Sequence, residues 1–400
     1  MIEVKTILMT VAGMTAMVAG ASAPVVKTSS VTMTQNRSSR LVTINYTLEE
    51  EPAIVTVDIQ TNGVSIGGRN LWYFAGDVNK CVDVGPHTMT WRPDKAWPGH
   101  KLTDGVTAVV TAWATNTPPD VMAVSLVTKK TRLYYPSLEA VPGGVNADLY
   151  KTEMMAFRKC PAANVTWRMG APKSEFSYWN DPAHLVTLSN DFYIGVFQVT
   201  QRQYELIAGS VPEGGYDGED RATHPVGQVS YNTLRKSSWP SSGSAVDSNS
   251  FIGKMRGFTG LTSLDLPLEA QWEFACRAGC GATYYDGSNP TDKAAANLVM
   301  NRLGRYKENG TTTAIVGSYE PNAWGIYDMS GNIWEWCLDW FVENPVNCDP
   351  NVGPDSGSER VVRGGGYGQA AAACKSAYRY SREVTVGLGC RLVCSVEMPN

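Results

Sequence analysis

The residues predict two domains of different class: an N-terminal all-β sandwich, then a larger domain of short strands, few helices and long loops. Three observations carry this reading. Apolar and polar residues alternate with period two from about Val31 to Val127. Proline and paired glycines break that pattern between Tyr134 and Glu153. Beyond this stretch glycine and tryptophan become frequent, and amphipathic periodicity survives in only a few short segments. A chain of 400 residues also exceeds what one hydrophobic core usually organises.

The strands come first. In LVTINYTL, Val42, Ile44, Tyr46 and Leu48 fall on one face, with Thr43, Asn45 and Thr47 on the other. AIVTVDIQ resumes the alternation after a turn at Glu49–Pro52, and VTAVVTAWAT adds a strand near Val106–Thr115. Asn62-Gly63 and Gly85-Pro86 read as turns between strands. Several short strands at this spacing predict an immunoglobulin- or fibronectin-like sandwich over residues 24–130. PDKAWPGHKLTDG is a loop in it, where Trp97 reads as a packing residue beside His100. No catalytic constellation lies in this region, which reads as an accessory domain. Residues 131–153 read as a linker, and 154–400 as the second domain.

Two helices are legible in that second domain. VTQRQYELIAG has Val199, Tyr204 and Ile207 near helical spacing, Thr200 as N-cap and Gly209 as a stop. DLPLEAQWEFACRAG opens with Pro267 near a first turn and places Leu268, Trp272 and Cys276 on one face, before Gly279.

Composition narrows the function. Hydrophobic residues make up 43% and charged residues 18%, an ordinary globular balance. A net charge of -4 argues against nucleic acid and anionic membrane as partners, because both need basic surface. Four histidines (His87, His100, His184 and His224) stand apart, with no pair at metal-ligand spacing. Residues 1–23 carry an apolar run from Ile7 to about Ala19, then the small-x-small sites Ala19–Ala21 and Ala21–Ala23. They read as a signal peptide, so the mature chain is expected to be secreted or periplasmic, with no transmembrane segment left after cleavage. Nine cysteines leave at least one unpaired in an exported chain. Cys276/Cys280 and Cys390/Cys394 read as buried or bridged thiols rather than metal ligands, since no histidine stands near them.

From Thr166 to Val396 runs an ordered set of motifs: WRMGAP, DFYIGVFQVTQRQYELIAG, HPVGQVSYNTLR, LPLEAQWEFACRAG, AANL, PNAWGIYDMSGNIWEWCLDWF, RVVRGGGYG, CKSAYR and GLGCRLV. Together they resemble the formylglycine-generating enzyme, or sulfatase-modifying factor, family over about residues 155–398. The resemblance implies an α+β, loop-rich, C-type-lectin-like fold. It also implies structural calcium. Asn332 and Glu335 beside a glycine turn supply oxygens that suit a hard cation. By position, the family's first calcium site falls on Ser330, Gly331, Ile333 and Glu335, and a second on Asn297 and Leu298. The second lacks a clean counterpart of the family's downstream aspartate, Glu308 being nearest.

Members of that family oxidise a cysteine of a sulfatase peptide with oxygen and copper(I), held by two cysteines five residues apart after a Gly-Gly-Ser-Tyr turn. Laid on Gly364–Tyr367, the pattern puts the first cysteine at Gln369, the second at Cys374, the serine at Gly366 and a site tyrosine at Ala373. One thiolate and a carboxamide make a poor copper(I) set, so copper is not expected. Cys374 is the one remaining catalytic candidate and is expected to pack in the frame. Gly366, Tyr367 and Gln369 are expected to border a cleft for a peptide, protein or glycan. The main expectation is a non-catalytic binding module. The alternatives are an oxidoreductase acting on a protein cysteine, one with altered non-haem metal chemistry, and a surface protein whose domains mediate contacts. Asp328, Asp339 and His224 read as structural polar groups.

Overall fold

The alternation in LVTINYTL makes a strand, Val42–Glu49, because only a pleated backbone sends every second side chain into the same core. Val42, Ile44, Tyr46 and Leu48 are all at most 4% exposed. The computed structural model describes residues 23–100, 105–171, 182–236, 239–240 and 245–396. The leader expected over 1–23 lies outside the described residues except for Ala23. The described residues divide into two compact units: those of 23–122, 132–147 and 396 in one, and those of 123–131 and 148–395 in the other.

In the first unit, Val42–Glu49 pairs with Gly85–Trp91, Thr32–Gln35 and Val25–Val26, and Phe74–Gly76 extends this sheet along Gly85–Trp91. In a second sheet Ala53–Thr61 pairs with Val106–Ala114 over its full length, flanked by Val64–Ser65 and Lys80–Val82. One apolar cluster, including Ile44, Tyr46, Val55, Ile59, Met89, Trp91 and Val110, draws on both sheets. Asn62 and Gly63 have φ of 53° and 79°, the two positive values that a two-residue hairpin turn requires. Gly85-Pro86, expected as a turn, instead opens a strand, with Pro86 opposite Thr47. Proline is tolerated near a strand's first residue, where a missing N–H costs little.

Two boundaries differ from the sequence expectation. Residues 123–130, expected in the sandwich, belong with the second unit together with Thr131. There the Leu126 N–H donates to Glu153 O at 2.8 Å and the Lys130 N–H to Phe258 O at 3.0 Å. Residues 132–147, expected as linker, fold with the first unit, where the Tyr134 N–H donates to Asn79 O at 2.7 Å and Val141 is fully buried. Glycine and proline density marks irregular backbone, but irregular backbone can still spend its amides inside a fold.

The second unit is mixed α and β. Met154–Cys160, Phe192–Gly195 and Val393–Ser395 form one antiparallel sheet, and Glu335–Trp340, Arg360–Arg363 and Arg379–Arg382 another. Thr166–Met169 and His184–Thr187 pair as two strands. Helix Gln201–Ala208 begins at Thr200 in a capping box with Gln203 and ends at Gly209, φ 97°. Helix Glu269–Arg277 buries Trp272 and Cys276 completely. Helices Phe251–Thr259 and Lys293–Leu303 were not legible as such. Two interior glycines weaken helix propensity in the first, and a polar, half-exposed face blurs the period of the second. The core is unusually ionic. Arg363 pairs with Glu269 and Glu273, Arg379 with Glu269, Arg277 with Glu273, and Arg391 with Glu335. These pairs tie the helix Glu269–Arg277 to the strand Arg360–Arg363, which delivers the chain into the glycine turn that follows.

Candidate functional site

Strand Arg360–Arg363 ends in three glycines, and each sits in a different place. Gly364 and Gly365 have φ of 90° and 76°, a region that disfavours any β-carbon. A β-carbon on Gly365 would also lie 2.6 Å from Cys374 Sγ and 2.8 Å from Ala373 O. Gly366 is under no such constraint: a β-carbon there would meet Trp334 at an ordinary 3.5 Å. The turn is fastened by the Tyr367 N–H donating to Asn332 O and the Gln369 N–H to Gly366 O, each at 2.9 Å.

After the turn, Gly366, Tyr367, Gly368 and Gln369 face an open cleft of about 490 Å³. Its other walls come from far away in sequence: Gly214–Asp217, Pro225, Gly227 and Gln228, Thr312 and Thr313, Ile333 and Trp334, and Arg382 with Val386–Leu388. The volume is in the range of small-ligand and side-chain pockets. Tyr367 is 39% exposed, while Trp334 is nearly buried against Tyr378 and Tyr380. Cys374 is not among the lining residues. It ends the short 3-10 turn Ala371–Cys374 and is fully buried in a cluster with Trp272, Tyr284 and Cys276. Desolvation pushes its thiol up to about 12, so almost none is thiolate at neutral pH.

The Ser330–Glu335 loop makes a different arrangement. Glu335 is fully buried, and both carboxylate oxygens are occupied. Oε1 accepts from Gln198 Nε2 at 2.9 Å and Arg391 Nη2 at 3.0 Å; Oε2 accepts from Trp272 Nε1 at 2.8 Å and Arg391 Nε at 3.1 Å. Gln198 Nε2 also lies 3.3, 3.4 and 3.1 Å from the carbonyl oxygens of Asp328, Gly331 and Ile333. Four oxygens thus converge on one point held by an amide with two hydrogens, while Gln198 Oε1 is buried without a partner. This donor set fits a hard cation if the Gln198 amide withdraws. Asp328 carbonyl stands in the set where the sequence placed Ser330, whose carbonyl instead packs on Gly304. Asn332 contributes no oxygen, because its Oδ1 accepts from the Ala314 N–H at 2.8 Å.

The other expected pair sits on helix Lys293–Leu303. Leu298 is 71% exposed; Asn297 Oδ1 is buried and unpartnered, and Glu308 pairs with Lys293 at 3.2 Å. Among the described residues no group of three or more His, Cys, Asp or Glu side chains could hold a metal. Asp339 caps the N-terminus of helix Glu269–Arg277 through the Glu269 N–H at 2.7 Å. Burial, then neighbouring Glu269, pushes Asp339 up to about 7, and burial pushes Asp328 up to about 6. His224 is clamped between Thr313 Oγ1 at 2.9 Å and Asp220 at 3.3 Å, under the Tyr216 ring; burial lowers its pKa. Sequence reading missed Trp334, Asp217 and Arg382 as cleft residues. The glycine-rich EGGYDG stretch was the one local signal of the far wall.

The fold and cleft define a class: a mixed α/β domain with an ionic core, whose glycine turn borders a surface cleft while Cys374 behind it is sealed inside. A model of the Sulfatase-modifying factor enzyme 1-like domain matches residues 159–395, and the chain belongs to that family. Its relatives include formylglycine-generating enzymes from Thermomonospora curvata (34% identical over 169 residues, 39% of this chain and 49% of the relative) and Mus musculus (33% over 168 residues, 40% and 38%). The chain therefore spans about half the length, or less, of these curated relatives. A protein named chaperone protein LppX from Paenibacillus barcinonensis is 31% identical over 231 residues, 50% of this chain and 76% of the relative. Among solved structures, Treponema denticola variable protein 1 aligns with a TM-score of 0.49 at 24% identity, over 60% of this chain and 95% of that one. PvdO from Pseudomonas aeruginosa aligns at 0.48 and 20%, over 60% and 94%. No described helix is long and apolar enough to cross a membrane.

Proposed function

We propose that the chain is an exported protein whose second unit binds a peptide or glycan in the cleft beside Gly366, Tyr367 and Gln369, without cysteine oxidation. One observation carries this reading. The turn residues open into the cleft, whereas the one thiol at a family catalytic position is closed into the core. A copper(I) centre needs two soft ligands that are reachable and readily deprotonated. Here one ligand position holds Gln369 and the other a thiol pushed up to about 12. We read the second unit as C-type-lectin-like and the first as an immunoglobulin- or fibronectin-like accessory domain. Calcium, if bound, is a structural ion held by the Asp328, Gly331 and Ile333 carbonyls and Glu335.

The deciding experiment is a metal inventory of the purified protein, with oxygen consumption measured on a cysteine-containing sulfatase peptide. We expect no stoichiometric copper or iron and no oxygen uptake. Stoichiometric copper with turnover, both lost in Cys374→Ala, would instead select the oxidoreductase. Export is checked separately: N-terminal sequencing of protein from periplasm or medium should start near Ser22 or Pro24. Intact Met1 on protein recovered only from the soluble cytoplasm would end the export reading.

A further inference from the structure

Two charged residues line the cleft, Arg382 and Asp217, and among the described residues neither is in an ion pair. In this unit Arg235, Arg256, Arg277, Arg302, Arg363, Arg379 and Arg391 all pair with carboxylates. Arg382 does not. Its guanidinium stacks over the Tyr380 ring at 4.2 Å and spends one N–H on Ser381 O, at a long 3.3 Å. The stacked plane is held in place with most of its donors open, the state in which arginine recognises carboxylates well. Asp217 is exposed on the wall formed by Gly214–Asp217, and among the described residues no donor reaches its carboxylate. Trp334, Tyr367 and Tyr216 supply aromatic surface in the same cleft.

We propose that the ligand is a peptide segment bearing both an acidic and a basic residue, read by Arg382 and Asp217, with an apolar or aromatic residue against Trp334 and Tyr367. The proposal rests on the binding reading of the cleft and names its ligand class. A neutral glycan offers both cleft charges only uncharged hydroxyl partners, and an acidic glycan offers Asp217 no cation. A peptide with both charges answers each, which is the complementarity that gives specificity.

The test pans a random heptapeptide phage library on the full chain, then measures synthetic copies of the enriched peptides by isothermal titration calorimetry. Gly368→Trp serves as the blocked cleft: a β-carbon there meets nothing within 4 Å, so the indole is tolerated and projects from a lining residue. Melting curves establish that every variant is folded. Enrichment of peptides with Asp or Glu together with Lys or Arg, and loss of about tenfold affinity in each of Arg382→Gln and Asp217→Asn, would support the proposal. Uncharged peptides, or charged ones that lose nothing in either variant yet are blocked by Gly368→Trp, would overturn the two-charge recognition and leave the cleft reading standing. Binding only to glycans on an array, blocked by Gly368→Trp, would do the same. Ligands indifferent to Gly368→Trp, or no ligand of either kind for the folded protein, would overturn the cleft reading itself.

Discussion

Cys374 Sγ lies 2.6 Å from the position that a β-carbon on Gly365 would take, so the glycine turn and the buried thiol are packed directly on one another. The turn's path therefore depends on residue 365 having no side chain, and the thiol's isolation depends on the turn. Gly365→Ala should cost about 2–4 kcal/mol, from a positive φ and a clash with atoms that cannot swing away. Gly366→Ser, at an ordinary φ and with a 3.5 Å neighbour, should stay within about 1 kcal/mol. Chemical denaturation of the two variants gives the comparison; equal costs would refute the packing account.

Native protein treated with iodoacetamide at mildly alkaline pH should label the partly exposed Cys81, Cys280 and Cys348 well before Cys374. Mass spectrometry maps the order. Cys374→Ala should lose roughly 1–2 kcal/mol of stability, the usual effect of shrinking a small buried side chain, and leave ligand affinity unchanged. Early labelling at Cys374 would mean the thiol is reachable, and the oxidoreductase reading would revive.

The oxygen cage around Gln198 predicts a calcium response that a substitution can enlarge. Glu335→Ala is a poor probe, because it strands Arg391 in the core at a cost of about 3–5 kcal/mol. Gln198→Glu is better. With chelator it should melt below wild type, since two carboxylates then crowd one buried point. With calcium it should gain more than wild type, since a ligand that binds only the folded state stabilises it. Melting curves of both proteins with calcium and with EGTA decide this; no calcium shift in either removes the site.

Asp339 and Asp328 carry raised folded pKa values, about 7 and about 6, from burial. A raised carboxyl holds its proton in the fold where the unfolded chain has released it. Their contribution to stability is therefore full below the ordinary Asp range and is lost as pH rises from about 4 to about 7. Glu273, lowered chiefly through Arg277 and Arg363 against its desolvation, contributes in the opposite sense: its share is lost as pH falls below the ordinary Glu range. Stability should thus fall by roughly 4 kcal/mol between pH 5 and pH 8. Asp339→Asn, which keeps an acceptor for the Glu269 N–H, should flatten that slope. An unchanged slope in a urea-melt series would place the titration elsewhere.

Local rules were legible where a residue's neighbours in sequence are also its neighbours in space. The period-two face of Val42–Leu48, the Asn62-Gly63 hairpin, the Thr200 cap and the Trp272–Cys276 helix face each depend on four to ten consecutive residues. The boundary near 131 was not legible, because which unit claims a strand is set by long-range partners such as Asn79 for Tyr134 and Glu153 for Leu126. The same holds for the cation cage. Its oxygens come from the expected loop, but Gln198, at their centre, comes from a segment more than a hundred residues away.

From the residues alone follow the two-part organisation and the family resemblance, and that resemblance in turn implies that Gly366, Gln369 and Ala373 stand where the family carries site groups. The tertiary structure decided which surviving groups are reachable. It closed Cys374 into the core, saturated Glu335 with four donors, and brought Asp217, Trp334 and Arg382 to one cleft from separate loops and strands. Reachability depends on what covers a group in three dimensions, and in a unit with so little regular structure no periodicity along the chain encodes that cover.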